Sequence, residues 1–133
     1  MLDELDEITL EDWEQKPAPR KWSKKEILGH LVDSARNNLK RFTEINYFQS
    51  PYLVMDYSQD ELVLANQYQN ESLAAIRAMW LSLNRHIAYL MENQSADALN
   101  KPVLLPDGTE TNLKWLMEDY IVHLLHHKAQ IMA

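Results

Sequence analysis

The sequence predicts an all-α fold, an antiparallel helical bundle, and three observations carry that expectation. Glycine occurs only twice in 133 residues, far below an average near 7%, so tight turns of the kind strand-rich folds need are scarce. Two stretches, about 24–47 and 71–91, repeat apolar residues every three or four positions with no internal proline, the period of a helix with one buried face. A third such stretch closes the chain from about Thr111 or Asn112. At 133 residues and 46% apolar composition, the chain suits one domain, 1–133, with a real core.

Residues 1–22 mix acids with Pro17 and Pro19, so any helix there is short. Ser23 and Glu26 have the spacing of a capping box, in which each side chain satisfies a free backbone N–H. They open a helix whose apolar stripe is Ile27, Leu28, Leu31, Ala35, Leu39 and Phe42, although Gly29 weakens it locally. Residues 48–57 hold Pro51 and read as a loop. Ser58 and Glu61 repeat the capping-box spacing and start a short helix. The helix over 71–91 has a seam of Leu73, Ile76, Trp80, Leu83, Ile87 and Leu90. Pro102, Pro106 and Asp107-Gly108 then mark a turn or a small hairpin-like excursion. In the last helix Leu113, Leu116, Met117, Tyr120, Leu124 and Ile131 face inward.

Composition excludes several functions. With no cysteine, disulfides, thiolate metal sites and cysteine nucleophiles are ruled out. A net charge of −7 argues against nucleic acid, which selects basic faces. No apolar run nears the ~20 residues that span a bilayer, and the acidic opening is not that of a signal peptide, so the expected place is the cytoplasm. No Gly-rich phosphate loop occurs. Ser23 is a cap rather than a nucleophile, Trp22 a staple for the helix start, and Trp80 and Trp115 core or interface packing. Met55, Met79, Met91 and Met117 read as gap-fillers.

The histidines carry the chemistry. His123 and His127 are four residues apart, on one face of the last helix and within its apolar stripe. Two imidazoles so placed can grip one metal ion. His126 falls about 60° away on the polar side, and His86 reads as a surface residue. A third ligand must come from another helix. His30 is the natural candidate, at the border of its helix's apolar face beside Asp33, Ser34 and Asn37. A polar strip next to a core is costly unless something uses it. Asp119, one turn before His123, can accept that ring's other N–H, and Asp33 can do so for His30; both are equally well read as surface acids. The alternative to a metal site is three hydrogen-bonded structural histidines.

Longer runs carry a family resemblance. Pro19-Arg-Lys-Trp22-Ser23-Lys-Lys-Glu26-Ile-Leu-Gly-His30-Leu-Val-Asp33-Ser34 resembles the opening signature of the DinB-like superfamily. Leu116-Met-Glu-Asp-Tyr120-Ile-Val-His123-Leu-Leu-His126-His127-Lys-Ala-Gln130-Ile131 resembles its last helix, and Tyr57 to Glu61 with Asn66 to Gln69 its middle. The resemblance implies an up-down-down-up four-helix bundle with zinc or nickel held by His30, His123 and His127. It points to the YfiT-like subgroup of metal-dependent hydrolases, whose relatives include thiol S-transferases and a thiol-dependent isomerase, many of them homodimers. Family members usually carry a long helix before the Trp-Ser motif. Here Trp22 stands close to the start, so the first helix looks shortened, and a partner subunit can cover the gap.

Two functions from different classes follow. One is an enzyme whose metal activates water or a low-molecular-weight thiol against a small-molecule substrate, with Asp33, Asn37 and Tyr120 lining the pocket. The other is a non-catalytic bundle acting through dimerisation or a partner, with a structural or incidental metal. An open coordination position separates them.

Overall fold

The computed structural model describes residues 2–133. Three long helices dominate: α3 (Lys24–Glu44), α5 (Leu73–Glu92) and α7 (Leu113–Met132). Two short helices, α1 (Leu2–Leu5) and α2 (Leu10–Glu14), come before them. Helices α4 (Gln59–Ala65) and α6 (Ala96–Leu99) and a 3-10 turn over Tyr68–Asn70 fill the connections. The fold is a four-helix bundle with a shortened first helix.

Helix α3 starts where the capping box puts it. Ser23 Oγ accepts from the Glu26 amide and Glu26 Oε1 accepts from the Ser23 amide, both at 3.1 Å. The second expected box does not form. Ser58 caps α4 by position but makes no side-chain bond. Its ψ of 98°, against 165° at Ser23, turns the hydroxyl away from the amides it would satisfy.

Helices α3 and α5 run side by side in the same direction. Arg36 reaches Met79 Sδ, and further along Phe42 shares a cluster with Ile87. Helix α7 runs the other way: Lys24 Nζ donates to the Ala133 carbonyl at 3.0 Å, while Leu116, Met117 and Tyr120 pack with Phe42. The parallel pair needs a long connection, and residues 45–72 supply it. The shortened first helix is pinned to the bundle by ion pairs from Glu4 to Lys128 (2.8 Å) and from Asp6 to Arg77 (2.7 Å), and by wholly buried Leu5 and Trp13.

The expected hairpin is present. Strand β2 (Pro102–Leu104) pairs antiparallel with β3 (Glu110–Asn112), turned by Gly108 at φ +88°. The segment read as a loop contains one more strand, β1 (Tyr52–Leu53), which pairs parallel with β2. Two residues are too few for an alternation to show in sequence; the strand exists because Tyr52 and Val54 are buried in the core and Val54 N donates to Leu104 O.

Helix α3 is the hub. Leu28, Leu31, Ala35 and Phe42 are buried as their spacing requires, and so is a polar strip of Glu26, His30, Asp33, Ser34 and Asn38. Two tryptophans part company: Trp80 is buried, but Trp115 is 41% exposed and belongs to no core cluster. Met55 is also exposed and fills no gap. Among the described residues, no helix is long and apolar enough to cross a membrane.

Gly29 has a packing role that propensity alone hides. A Cβ there would collide with the root of the Tyr68 ring, which lies directly on the helix backbone. Gly29→Ala gains about 1 kcal/mol of helix propensity but meets an overpacking cost of roughly 1–3 kcal/mol or more. The expected net result is a loss of about 2 kcal/mol, because the collision falls on the root of the ring and takes the upper end of that cost, read as a lower urea midpoint at unchanged slope. A stabilised Gly29→Ala protein would contradict this packing.

Candidate metal centre

The capping box at Ser23 starts α3, and His30 follows two turns later on its inner side. The antiparallel course of α7 brings His123 and His127 to the same level. His30 is wholly buried, and the other two are half-buried. Their Nε2 atoms converge: 3.3 Å from His30 to His123 and 3.1 Å from His123 to His127, with the ligand atoms of all three within 4.8 Å of one another. Zinc–nitrogen bonds of about 2.05 Å at tetrahedral angles place their nitrogens about 3.3 Å apart. The residues present fit a divalent ion.

Electrostatics point the same way. Burial is the main cause lowering the pKa of all three rings, and the neighbouring histidines add to it; His30 falls to about 3. At neutral pH the rings are uncharged, so the proton is not the cation that reconciles them. Gln130 Oε1 lies 2.7 Å from His127 Nδ1. An amide oxygen can only accept, so His127 carries its proton on Nδ1 and turns a lone pair at Nε2 toward the other two rings. The Trp22 ring covers His30, with centroids 4.9 Å apart. It therefore walls the site rather than merely stapling the helix start.

The other candidate residues lie elsewhere. Asp33 does not hold the His30 ring. Its Oδ1 accepts from Tyr68 OH (2.6 Å) and Asn66 Nδ2 (3.0 Å), while Asp33 Oδ2 and His30 Nδ1 are both buried without a hydrogen-bond partner. Burial raises the Asp33 pKa against these hydrogen bonds. Asp119 is exposed, lines a shallow cleft with Arg41, Asp56 and Trp115, and acts on His123 only through its charge. Asn37 donates to the Asp33 carbonyl at 2.9 Å and lines a cleft of about 530 Å³ with Lys40, Arg41 and Tyr52. Seven residues beyond His30, it is about 10 Å further along the helix. Tyr120 points into the core, where its hydroxyl donates to Asn84 Oδ1 at 2.5 Å and its ring meets Phe42 edge-on. His126 is exposed with its ring 5.1 Å from that of His127, and His86 is a surface residue stacked on Tyr89.

The centre thus includes two residues assigned no role there from the chain alone, Gln130 and Trp22. Gln130 had a signal: it is three residues after His127, on the same helix face. Trp22 had none, since only the packing of the segment before α3 brings it over the ring. A cleft of about 300 Å³ runs along both, between Arg20, Lys21, Gln59 and Asp60.

A family model described as the DinB superfamily matches residues 1–131. This chain belongs to the DinB superfamily. Among solved structures, this DinB chain is similar to YfiT from Bacillus subtilis, described as a probable metal-dependent hydrolase with an unusual four-helix bundle topology. The TM-score is 0.83 at 17% identity, over 97% of this chain and 74% of that one. A DinB-like protein, YjoA, also from Bacillus subtilis, aligns with a TM-score of 0.52 at 18% identity, over 97% of this chain and 77% of that one. At such identities the likeness speaks for the DinB fold. No curated protein matches the chain in sequence.

Removing the Gln130 amide oxygen tests its hold on His127. Gln130→Leu is expected to weaken metal binding about 10–100-fold, as loss of a ligand's hydrogen-bond partner typically does, with the fold intact because Gln130 is exposed. Competition with a chromophoric chelator measures it; unchanged affinity would remove Gln130 from the centre.

Proposed function

We propose that this protein is a metal-dependent enzyme in which His30, His123 and His127 hold one zinc or nickel ion, and which transfers a low-molecular-weight thiol to, or hydrolyses, a small-molecule substrate. The observation that carries this reading is the convergence of three neutral imidazole nitrogens, 3.1 and 3.3 Å apart, with no fourth Cys, His, Asp or Glu among the described residues joining the group. Three protein ligands with one position left open are the pattern of catalytic rather than structural sites. Asp33 and Asp119, the acids close enough in sequence to have closed the site, are turned elsewhere.

A divalent ion bound there supplies Lewis acidity, which brings the pKa of a coordinated water or thiol toward neutrality. The chain supplies the rest. Gln130 sets the His127 tautomer, Trp22 and the buried side of α3 exclude water from behind His30, and the cleft along Trp22 and Gln130 gives a substrate room beside the centre. The chain has no cysteine, so any thiol arrives as cosubstrate. The description of YfiT as a probable metal-dependent hydrolase supports the class, and the homodimer belongs to the same reading.

The test is tag-free protein purified without a nickel column. Elemental analysis should find close to one zinc or nickel per chain, and X-ray absorption three imidazoles plus one light or sulfur ligand. Thiol transfer and ester or amide hydrolysis are then screened on that protein. A fourth protein ligand would turn the reading to a structural metal and a non-catalytic bundle.

A further inference from the structure

The cleft of about 530 Å³ that Asn37 lines opens toward the far end of α3 from the metal centre. Its wall includes Glu44, the last residue of that helix. Glu44 is only 6% exposed, and a buried carboxylate is costly unless it is paired and hydrogen-bonded. Among the described residues nothing donates a hydrogen bond to that carboxylate, and its ion pair with Lys40 Nζ is long, at 3.7 Å. The Lys40 side chain is 76% exposed, so this contact between residues four apart is a weak surface pair. The Glu44 oxygens are not among the buried atoms left without a partner. With no hydrogen bond to account for that, they are open to the cleft.

Three aromatic rings line the same cleft. Tyr47 and Phe48 follow the helix end, and Tyr52 begins β1. The Tyr47 and Phe48 rings are 4.9 Å apart at 82°, and those of Phe48 and Tyr52 are 6.0 Å apart at 59°. Rings set at such steep angles wall a corner instead of stacking on one another. Tyr47 is 69% and Phe48 50% exposed, so their faces are not spent on the core. Tyr52 lies close enough to Glu44 for that charge, after burial itself, to raise its pKa.

We infer that this cleft binds a small molecule bearing a methylated ammonium group, whose charge faces Glu44 and whose methyl groups lie against Tyr47, Phe48 and Tyr52. The site is separate from the metal centre. Glu44 stands fourteen residues beyond His30, about 21 Å along the helix, and the inference is independent of the metal.

The surroundings select this class of cation. A hard metal ion needs several oxygen ligands, and the cleft offers one carboxylate. A bare ammonium carries three N–H donors, each of which needs an acceptor. A methylated one asks only for an opposite charge and for aromatic faces, which attract cations. The carbonyl end of α3 favours positive charge as well. Two of the protein's own cations also line the cleft. Arg41 is committed elsewhere: it donates to the Met55 carbonyl and lies over the Tyr57 ring, 5.6 Å from its centroid. Lys40 is the competitor, and its loose contact with Glu44 is what the ligand displaces.

Fluorine NMR of the full chain labelled with fluorophenylalanine tests the proposal, because the sequence has only two phenylalanines. Phe42 is wholly buried in the core and reports the fold; Phe48 reports the cleft. Titration with choline is expected to move the Phe48 signal alone, with a dissociation constant of about 1 mM, in metal-loaded and chelated protein alike. The neutral carbon isostere of choline should bind at least about 10-fold more weakly, since ring faces attract the charge. Glu44→Gln keeps the shape and removes the charge, and should weaken choline at least about 10-fold. Tyr47→Ala, at an exposed position, should weaken it about 3-fold, and Lys40→Met should strengthen it about 2-fold by removing the competitor. An unmoved Phe42 signal shows which variants are folded; if Glu44→Gln does not fold, Tyr47→Ala and Lys40→Met decide. No shift of Phe48 at about 100 mM choline would overturn the site. Equal binding of the isostere would overturn the cation, and choline binding indifferent to the folded variants would overturn its placement.

Discussion

Replacing His123 by alanine is expected to strip the protein of its metal while leaving the bundle folded. His123 is the middle member of the cluster: its Nε2 lies 3.3 Å from that of His30 and 3.1 Å from that of His127. Removing it leaves two imidazoles that do not meet through a third. Loss of a group that only orients a ligand costs 10–100-fold in affinity; loss of the ligand itself should cost at least about 100-fold on the same scale. Bound metal should fall from near one per chain to less than about a tenth. The fold survives because His123 is half-buried and belongs to neither core cluster. Elemental analysis beside circular dichroism checks both halves. Full metal content in His123→Ala would show that the ion sits elsewhere, and absence of metal from the wild type even after reconstitution would leave three structural histidines.

Metal removal should destabilise the protein, and acid should then destabilise it further. A ligand at about 1,000 times its dissociation constant stabilises the native state by about 4 kcal/mol, which for a chain of this size corresponds to a melting shift of roughly 10–20 °C. The chelated protein retains His30 buried and neutral, with its pKa lowered by burial from 6.5 to about 3. The unfolded chain takes up that proton once the pH drops below about 6.5, whereas the folded chain resists until about 3. The unfolded state therefore binds more protons throughout this window. Stability present above pH 6.5 is lost as the pH falls through it, by up to about 5 kcal/mol in all. Urea titrations of chelated protein between pH 7 and pH 4 measure the slope. Equal melting temperatures with and without chelator, or a flat pH profile, would contradict the expectation.

Both predictions depend on geometry that the chain only partly announces. The three histidines are visible as candidates because each sits on the inner part of a periodic helix, and helical periodicity is a local property. So is the capping box at Ser23, which needs only four consecutive residues and a serine with the right ψ. Ser58 shows the limit of that logic: the same spacing fails where the incoming loop sets a different ψ. The acids show it again. Asp33 and Asp119 lie within one turn of a histidine, yet spacing along a helix does not say which neighbour a carboxylate prefers. Tyr68 and Asn66, more than 30 residues away, claim Asp33. Gly29 is a weak point by helix propensity, and the Tyr68 ring lying on it gives it a packing role that propensity does not express.

By itself, the amino-acid order determined the helical class, the three long helices with their buried stripes, the hairpin turn at Asp107-Gly108, and the histidines able to share an ion. Each is written in short-range periodicity, capping or turn chemistry. Only the tertiary structure decided that α3 and α5 run parallel with α7 against them, and that a ring nitrogen from each of three histidines comes within 4.8 Å of the others. The same is true of Trp22 closing over His30, of β1 pairing with β2, and of Trp115 facing out. These are contacts between segments far apart in the chain. They arise from how whole helix faces pack against one another, and that packing leaves no period in any one of them.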